Sequence, residues 1–123
     1  MSHSLTVTNL TRGSCVAAQA RLANRWWSRL LGLLGRRPLV QGEGLLLVPC
    51  RAVHMIGMRY AIDVAFVDRW GGVVATYHHL APGSRSRWHR AAVVALEVPA
   101  GTLRSTETQT GDALQWRSNP EAA

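Results

Sequence analysis

Along most of this chain, apolar and polar residues alternate in short stretches, the period of a half-buried strand. The pattern opens with Leu5 to Leu10, where Leu5 and Val7 alternate with Thr6 and Thr8. A turn at Thr11-Arg-Gly-Ser14 follows, and a second short strand starts at Cys15. From Gly44 onward the runs are Gly44 to Pro49, Ala61 to Asp68, Val73 to His78, Ala92 to Val98 and Ala113 to Trp116. Turn chemistry separates them at Asp68-Arg-Trp-Gly-Gly72, Ala81-Pro-Gly-Ser84, Pro99-Ala-Gly101 and Thr110-Gly-Asp112.

One stretch has a different period. At 100° per residue, Leu22, Trp26, Trp27, Leu30, Leu31, Leu33 and Leu34 share one arc. Arg21, Arg25, Ser28, Arg29, Gly32 and Arg36 share the other. The spacing predicts an amphipathic helix, with Asn24 as a cap for a shorter version and Gly35 as its stop. Short strands, regular turns and one helix predict a mainly β fold. The expected form is a compact single-domain β-sandwich or barrel with one short N-terminal amphipathic helix as its plug.

The 123 residues fit one domain, and 47% hydrophobic residues suffice to fill a core without staples. No apolar run approaches the ~18 residues that span a bilayer, and Met1 to Thr8 lacks the regions of a signal peptide. The expectation is therefore a cytoplasmic protein whose two cysteines, Cys15 and Cys50, are reduced thiols. A disordered C-terminal tail is expected over about 118–123.

Charge changes the picture. All 14 basic residues are arginine, which codon usage explains more simply than selection for bidentate anion recognition. Residues 1–60 carry eight arginines and one acid, Glu43, whereas residues 61–123 carry six of each sign. Such asymmetry points to an acidic partner or an anionic surface. Arginines stand beside tryptophans at Arg25-Trp-Trp27, Arg69-Trp70 and Arg85-Ser-Arg-Trp-His-Arg90. Guanidinium groups bind phosphate and exposed Trp stacks bases, so RNA binding is one function class, with Trp70 and Trp88 as the loop aromatics. Membrane-surface binding by the Arg/Trp/Leu helix is another. The helix periodicity favours a core role for Trp26 and Trp27, and nucleic acid is not the favoured partner.

Several ordered motifs resemble one family. They are Arg29-Leu-Leu-Gly-Leu-Leu-Gly-Arg36, Gly42-Glu-Gly-Leu-Leu-Leu-Val-Pro-Cys50, Val53-His54, Met58-Arg59, Ile62-Asp-Val-Ala-Phe-Val-Asp68, Leu96-Glu-Val-Pro-Ala-Gly-Thr102 and Gly111-Asp112. From about residue 7 to 116 the chain resembles the bacterial and archaeal domain of unknown function 192. The resemblance implies a mainly β single domain and no established activity. Relatives usually carry Ser, Thr, a pair of aromatics and Pro where this chain has Ala52, Met55, Ile56-Gly57 and Ala61. The resemblance thus leaves Cys50, His54, Met58, Arg59 and Asp63 as ligand-binding candidates.

Chemistry at those five is weighed residue by residue. Thiolate, imidazole and thioether would suit a soft metal such as Cu(I). The i, i+4, i+8 spacing of Cys50, His54 and Met58 would separate them by ~13 Å steps on a strand, so no metal or cofactor is expected. A Cys50–His54 nucleophilic pair would need an orienting acid, and Asp63 is the only one near in sequence. Asp63 lies between Ile62 and Val64 and needs partners, backbone N–H or an arginine; a lock with Arg59 is the favoured reading. His78 and His79 should point to opposite faces, and Glu97, alternating with Leu96 and Val98, should face solvent. No phosphate-cradling Gly loop, nucleophile elbow or Cys-x-x-Cys pair occurs. These observations lean away from an enzyme. They favour a domain that binds a small ligand or protein partner near Arg59. RNA or anion binding by the arginine-rich half, and a metal or thiol site at Cys50, His54 and Met58, are the alternatives.

Overall fold

The structure, a computed structural model, describes residues 4–23 and 38–120. Its strands are β1 (Leu5–Asn9), β2 (Ser14–Ala23), β3 (Glu43–Leu47), β4 (Ile62–Asp68), β5 (Val73–Leu80), β6 (Ala92–Pro99) and β7 (Leu114–Ser118). Each overlaps a predicted run, but β2 continues to Ala23, into the stretch whose period predicts a helix. Among the described residues the one helix is α1 (Thr102–Ser105). The predicted N-terminal helix lies, beyond Ala23, outside the described residues. Its first arc member, Leu22, belongs instead to β2, where it is exposed and pairs with Leu46.

All seven strands form one sheet in the order β5-β4-β6-β3-β2-β1-β7. Pairing is antiparallel except between β2 and β3, which run parallel from Gln19–Glu43 to Ala23–Leu47. The sheet curls until its two edge strands touch at one end. There Gly72 bridges Ala113, Val73 N–H donates to the Asp112 carbonyl, and Leu114 N–H donates to the Gly71 carbonyl. This half-barrel removes part of the exposed edge that an open sheet would present.

Gly71 makes the closure possible. Its φ is +89°, and a Cβ there would sit 2.7 Å from the Leu114 carbonyl oxygen. Gly71→Ala is expected to destabilise the protein by about 2 kcal/mol through left-handed strain and this contact. Urea denaturation would measure the loss, and a neutral result would show that the contact at this end is dispensable.

Alternation sends side chains to two cores. Inside the curl, Ala65 and Val67 of β4 meet Val94, Leu96 and Val98 of β6 and Leu46 of β3, with Val7, Val16, Ala17 and Leu114 completing the wall. Leu103 of α1, fully buried, plugs this interior. Among the described residues the plug is therefore the short turn after β6. On the outer face, Ile62, Val64 and Phe66 meet Leu45, Leu47 and Ala95 under a cover of Val53, Met55, Met58 and Tyr60. Both faces of β4 and β6 are thus apolar, which accounts for their nearly continuous apolar runs.

The chain end stays in the sheet longer than composition suggests. Ser118 lies in β7, and Asn119 donates from its amide to the Ala18 carbonyl and Ser4 Oγ. These bonds hold the segment where the sequence expects a tail to begin.

Candidate functional site

The outer face carries the chemistry. Residues 48–61 leave β3 and cross this face without forming a strand before entering β4. Residues 81–91, between β5 and β6, run beside them. The two segments zip together: Met55 N–H donates to the Ser84 carbonyl, Ser86 N–H to the Val53 carbonyl, and His89 N–H to the Arg51 carbonyl. His54 and Arg85 form an isolated antiparallel bridge, and Val53 N–H donates to Ser86 Oγ at 2.9 Å.

Glu97 lies beneath this cover, and here the sequence expectation is overturned. Its neighbours across the sheet are Leu45 of β3 and Val64 of β4, so it points away from Leu96 and Val98 as alternation requires. That face is covered rather than wet, and Glu97 is only 4% exposed. Burial pushes its carboxyl up to about 8. Among the described residues its Oε2 has no hydrogen-bond partner, and neither has the buried hydroxyl of Tyr60. The two groups interact: burial first, and then the Glu97 charge, raise the Tyr60 phenol.

Asp63 has a different fate from the one its sequence context favours. It is fully buried, but among the described residues no arginine pairs with it. Oδ1 accepts from His79 N–H at 2.8 Å, and Oδ2 accepts from Gly101 N–H at 2.9 Å and Leu103 N–H at 3.0 Å. A strand residue thus supplies from a distance the cap that the start of α1 needs. Arg59 is exposed, and the Arg59–Asp63 lock is not formed. His78 and His79 are both exposed, because a bulge opposite Asp63, with His79 at φ +52°, breaks the alternation.

The remaining candidates sit in unlike surroundings. Cys50 is buried, with its thiol 3.2 Å from the Ala52 carbonyl. His54 is exposed, and Met58 is half-buried against the outer core. Among the described residues no three His, Cys, Asp or Glu side chains gather closely enough to hold a metal ion. Neither cysteine forms a disulfide.

Sequence reasoning missed two clusters besides Glu97. His89 packs on Phe66 with ring centroids 4.6 Å apart, and its Nε2 lies 2.7 Å from the Tyr77 hydroxyl. The Tyr77 oxygen already accepts from Arg87 N–H, so its own proton is available for His89. Burial first and Arg87 second lower the His89 pKa, which suits an acceptor imidazole. The second cluster is structural. Asp112 accepts from Asn9 Nδ2, Arg12 Nε and Gln109 N–H beside the closure. Burial alone would raise its carboxyl, but these bonds outweigh it and hold the carboxyl below the usual range. Elsewhere, an open groove of about 380 Å³ runs past Cys15, Gly101, Ser105 and Thr106, and among the described residues no charged side chain lines it.

The fold agrees with that of known proteins. The chain belongs to the family described as Uncharacterized ACR, domain of unknown function 192, whose model matches residues 7–116. A UPF0127 protein of Pyrococcus furiosus is 32% identical over 111 residues, spanning 88% of this chain and 95% of that protein. A solved structure of unknown function from Novosphingobium aromaticivorans superposes with a TM-score of 0.77 at 22% identity, covering 92% of this chain and 84% of its own. A candidate transcription regulator from Sinorhizobium meliloti superposes at 0.76 and 22% identity, covering 94% of each chain. These likenesses establish the family and the fold.

Proposed function

We propose that this domain binds a small polar ligand beneath the 48–61 segment, with Glu97 and Tyr60 as the groups that read it and Arg59 at the rim. One observation carries the reading: Glu97 Oε2 and the Tyr60 hydroxyl are both buried and, among the described residues, without partners, and the Glu97 charge acts on the Tyr60 phenol. A buried polar atom without a partner costs about 1–3 kcal/mol, and a ligand that bonds both recovers that cost. Perturbed titratable groups in a covered layer are also what binding and active sites build. With its pKa near 8, Glu97 is a neutral acid at pH 7 and offers one donor and one acceptor. Arg59 has an exposed guanidinium and suits a carboxylate or phosphate on the same ligand. Among the described residues no nucleophile–base pair lies near these groups, and their unmet hydrogen-bonding capacity supports binding.

Native mass spectrometry of protein purified from its own host tests this. The unaltered protein is expected to retain a small molecule, and the Tyr60→Phe/Glu97→Gln double variant to lose it. Equal retention by both proteins, or no adduct on either, would overturn the reading.

A further inference from the structure

We infer that the outer edge of the 51–55 and 83–90 ribbon is a docking surface for single-stranded nucleic acid, with arginines on the phosphates and Trp88 stacked on a base. This goes beyond the small-ligand reading, because the surface lies outside the cover rather than beneath it. The ribbon's own alternation builds the surface. Val53, Met55 and Ser86 turn inward and are buried, which turns His54, Arg85 and Arg87 outward. Arg51 and Arg90 are exposed as well, and Arg51 Nε donates to the Arg90 carbonyl, which brings the two residues together. Trp88 is 69% exposed in the middle of the arginines.

Among the described residues nothing nearby neutralises this charge. Residues 48–61 and 81–91 contain no acid. The flanking acids are spent on backbone: Asp63 on His79, Gly101 and Leu103, and Asp68 Oδ1 on Trp70 N–H and Gly72 N–H. Glu97 is buried beneath the cover. A second aromatic lies toward the same end of the sheet, since Asp68 pairs with Ala92 at the start of β6. There Trp70 is 79% exposed, with the Arg69 guanidinium 4.7 Å from its ring. Counting charge by halves of the sequence could not reveal this surface, because its arginines come from both halves and meet only in space.

Unpaired arginines fix a phosphate backbone without reading sequence. An exposed tryptophan among them adds base stacking, which single strands offer and a closed duplex withholds. Single-stranded RNA or DNA is therefore the occupant that uses both features. A duplex would use the arginines alone, whereas an anionic membrane would take Trp88 at the headgroup level rather than on a base.

The test is fluorescence anisotropy with a labelled oligouridylate, at several salt concentrations. The expected affinity is ~10 μM or tighter at physiological salt, with a log–log salt slope of about −3 if Arg51, Arg85, Arg87 and Arg90 each meet one phosphate. Arg85→Glu/Arg87→Glu should weaken binding tenfold or more, and Arg85→Gln/Arg87→Gln should make the slope shallower by about 1.4. Trp88→Ala should cost about fivefold or more and leave the slope unchanged. Arg104→Glu/Arg117→Glu makes the same charge change at two exposed sites off the ribbon and should leave binding nearly intact. Thermal melts establish that each variant is folded. The inference fails if the control pair weakens binding as much as the ribbon pair, or if Trp88→Ala has no effect. It also fails if duplex RNA or phosphatidylserine vesicles bind tighter than the single strand, or if affinity is no better than ~10⁻⁴ M.

Discussion

Asp63→Ala is expected to lower stability by about 4 kcal/mol, about twice the loss expected for Gly71→Ala. The two Asp63 oxygens accept three backbone N–H groups, from His79, Gly101 and Leu103. Alanine offers no acceptor, and Leu103 lies in the interior where water cannot replace one. Each buried donor left unpaired costs about 1–3 kcal/mol, and the start of α1 also loses its cap. Leu103 plugs the inner core from that turn, so a loosened α1 withdraws apolar packing as well. Asp63→Asn keeps one acceptor oxygen and places an NH₂ group against a donor. It should therefore cost roughly half as much. Urea denaturation of the three proteins measures the series. A loss below about 1 kcal/mol for alanine would mean that the amides find other partners and that the capping account is wrong.

The same residue shows where sequence reading stops. An acid between Ile62 and Val64 in a continuous apolar run has to be buried with partners, and that much follows from the chain alone. The partners lie 16, 38 and 40 residues away, in a bulge and a turn that exist only once the sheet has closed. Local period and turn chemistry locate the strands for the same reason that they cannot locate the closure: Gly72 meets Ala113 across the whole sheet. At Glu97, alternation gives the correct face but says nothing about what covers that face. The available signal was the rest of β6, where Ala92, Val93, Val94 and Ala95 precede Leu96 and leave no wet side. The arginines follow the same rule. Their number is legible in the chain, whereas the pairing of residues 51–55 with 83–89 that groups them depends on hydrogen bonds between distant segments.

Glu97→Gln is expected to stabilise the protein by about 3 kcal/mol at pH 7, and the gain should depend on pH in a defined way. The folded carboxyl has a pKa of about 8 against 4.5 when unfolded, so folding holds a proton that the unfolded chain releases. Below about pH 4.5 both states are protonated, and Glu97 carries no ionisation penalty. Between about 4.5 and 8 the unfolded chain binds fewer protons, and stability falls by about 1.4 kcal/mol per pH unit. Above about 8 both states are ionised and the penalty levels off. Glutamine has nearly the same shape and does not titrate, so the two proteins should be alike near pH 4.5 and diverge steadily up to pH 8. A ligand of the kind proposed that placed a donor on this carboxyl would lower its pKa and relieve part of the penalty. Urea unfolding of both proteins across that pH range gives the difference directly. A gap that is constant with pH, or a glutamine variant that is less stable at pH 7, would show that Glu97 is ionised in the folded protein and paired there.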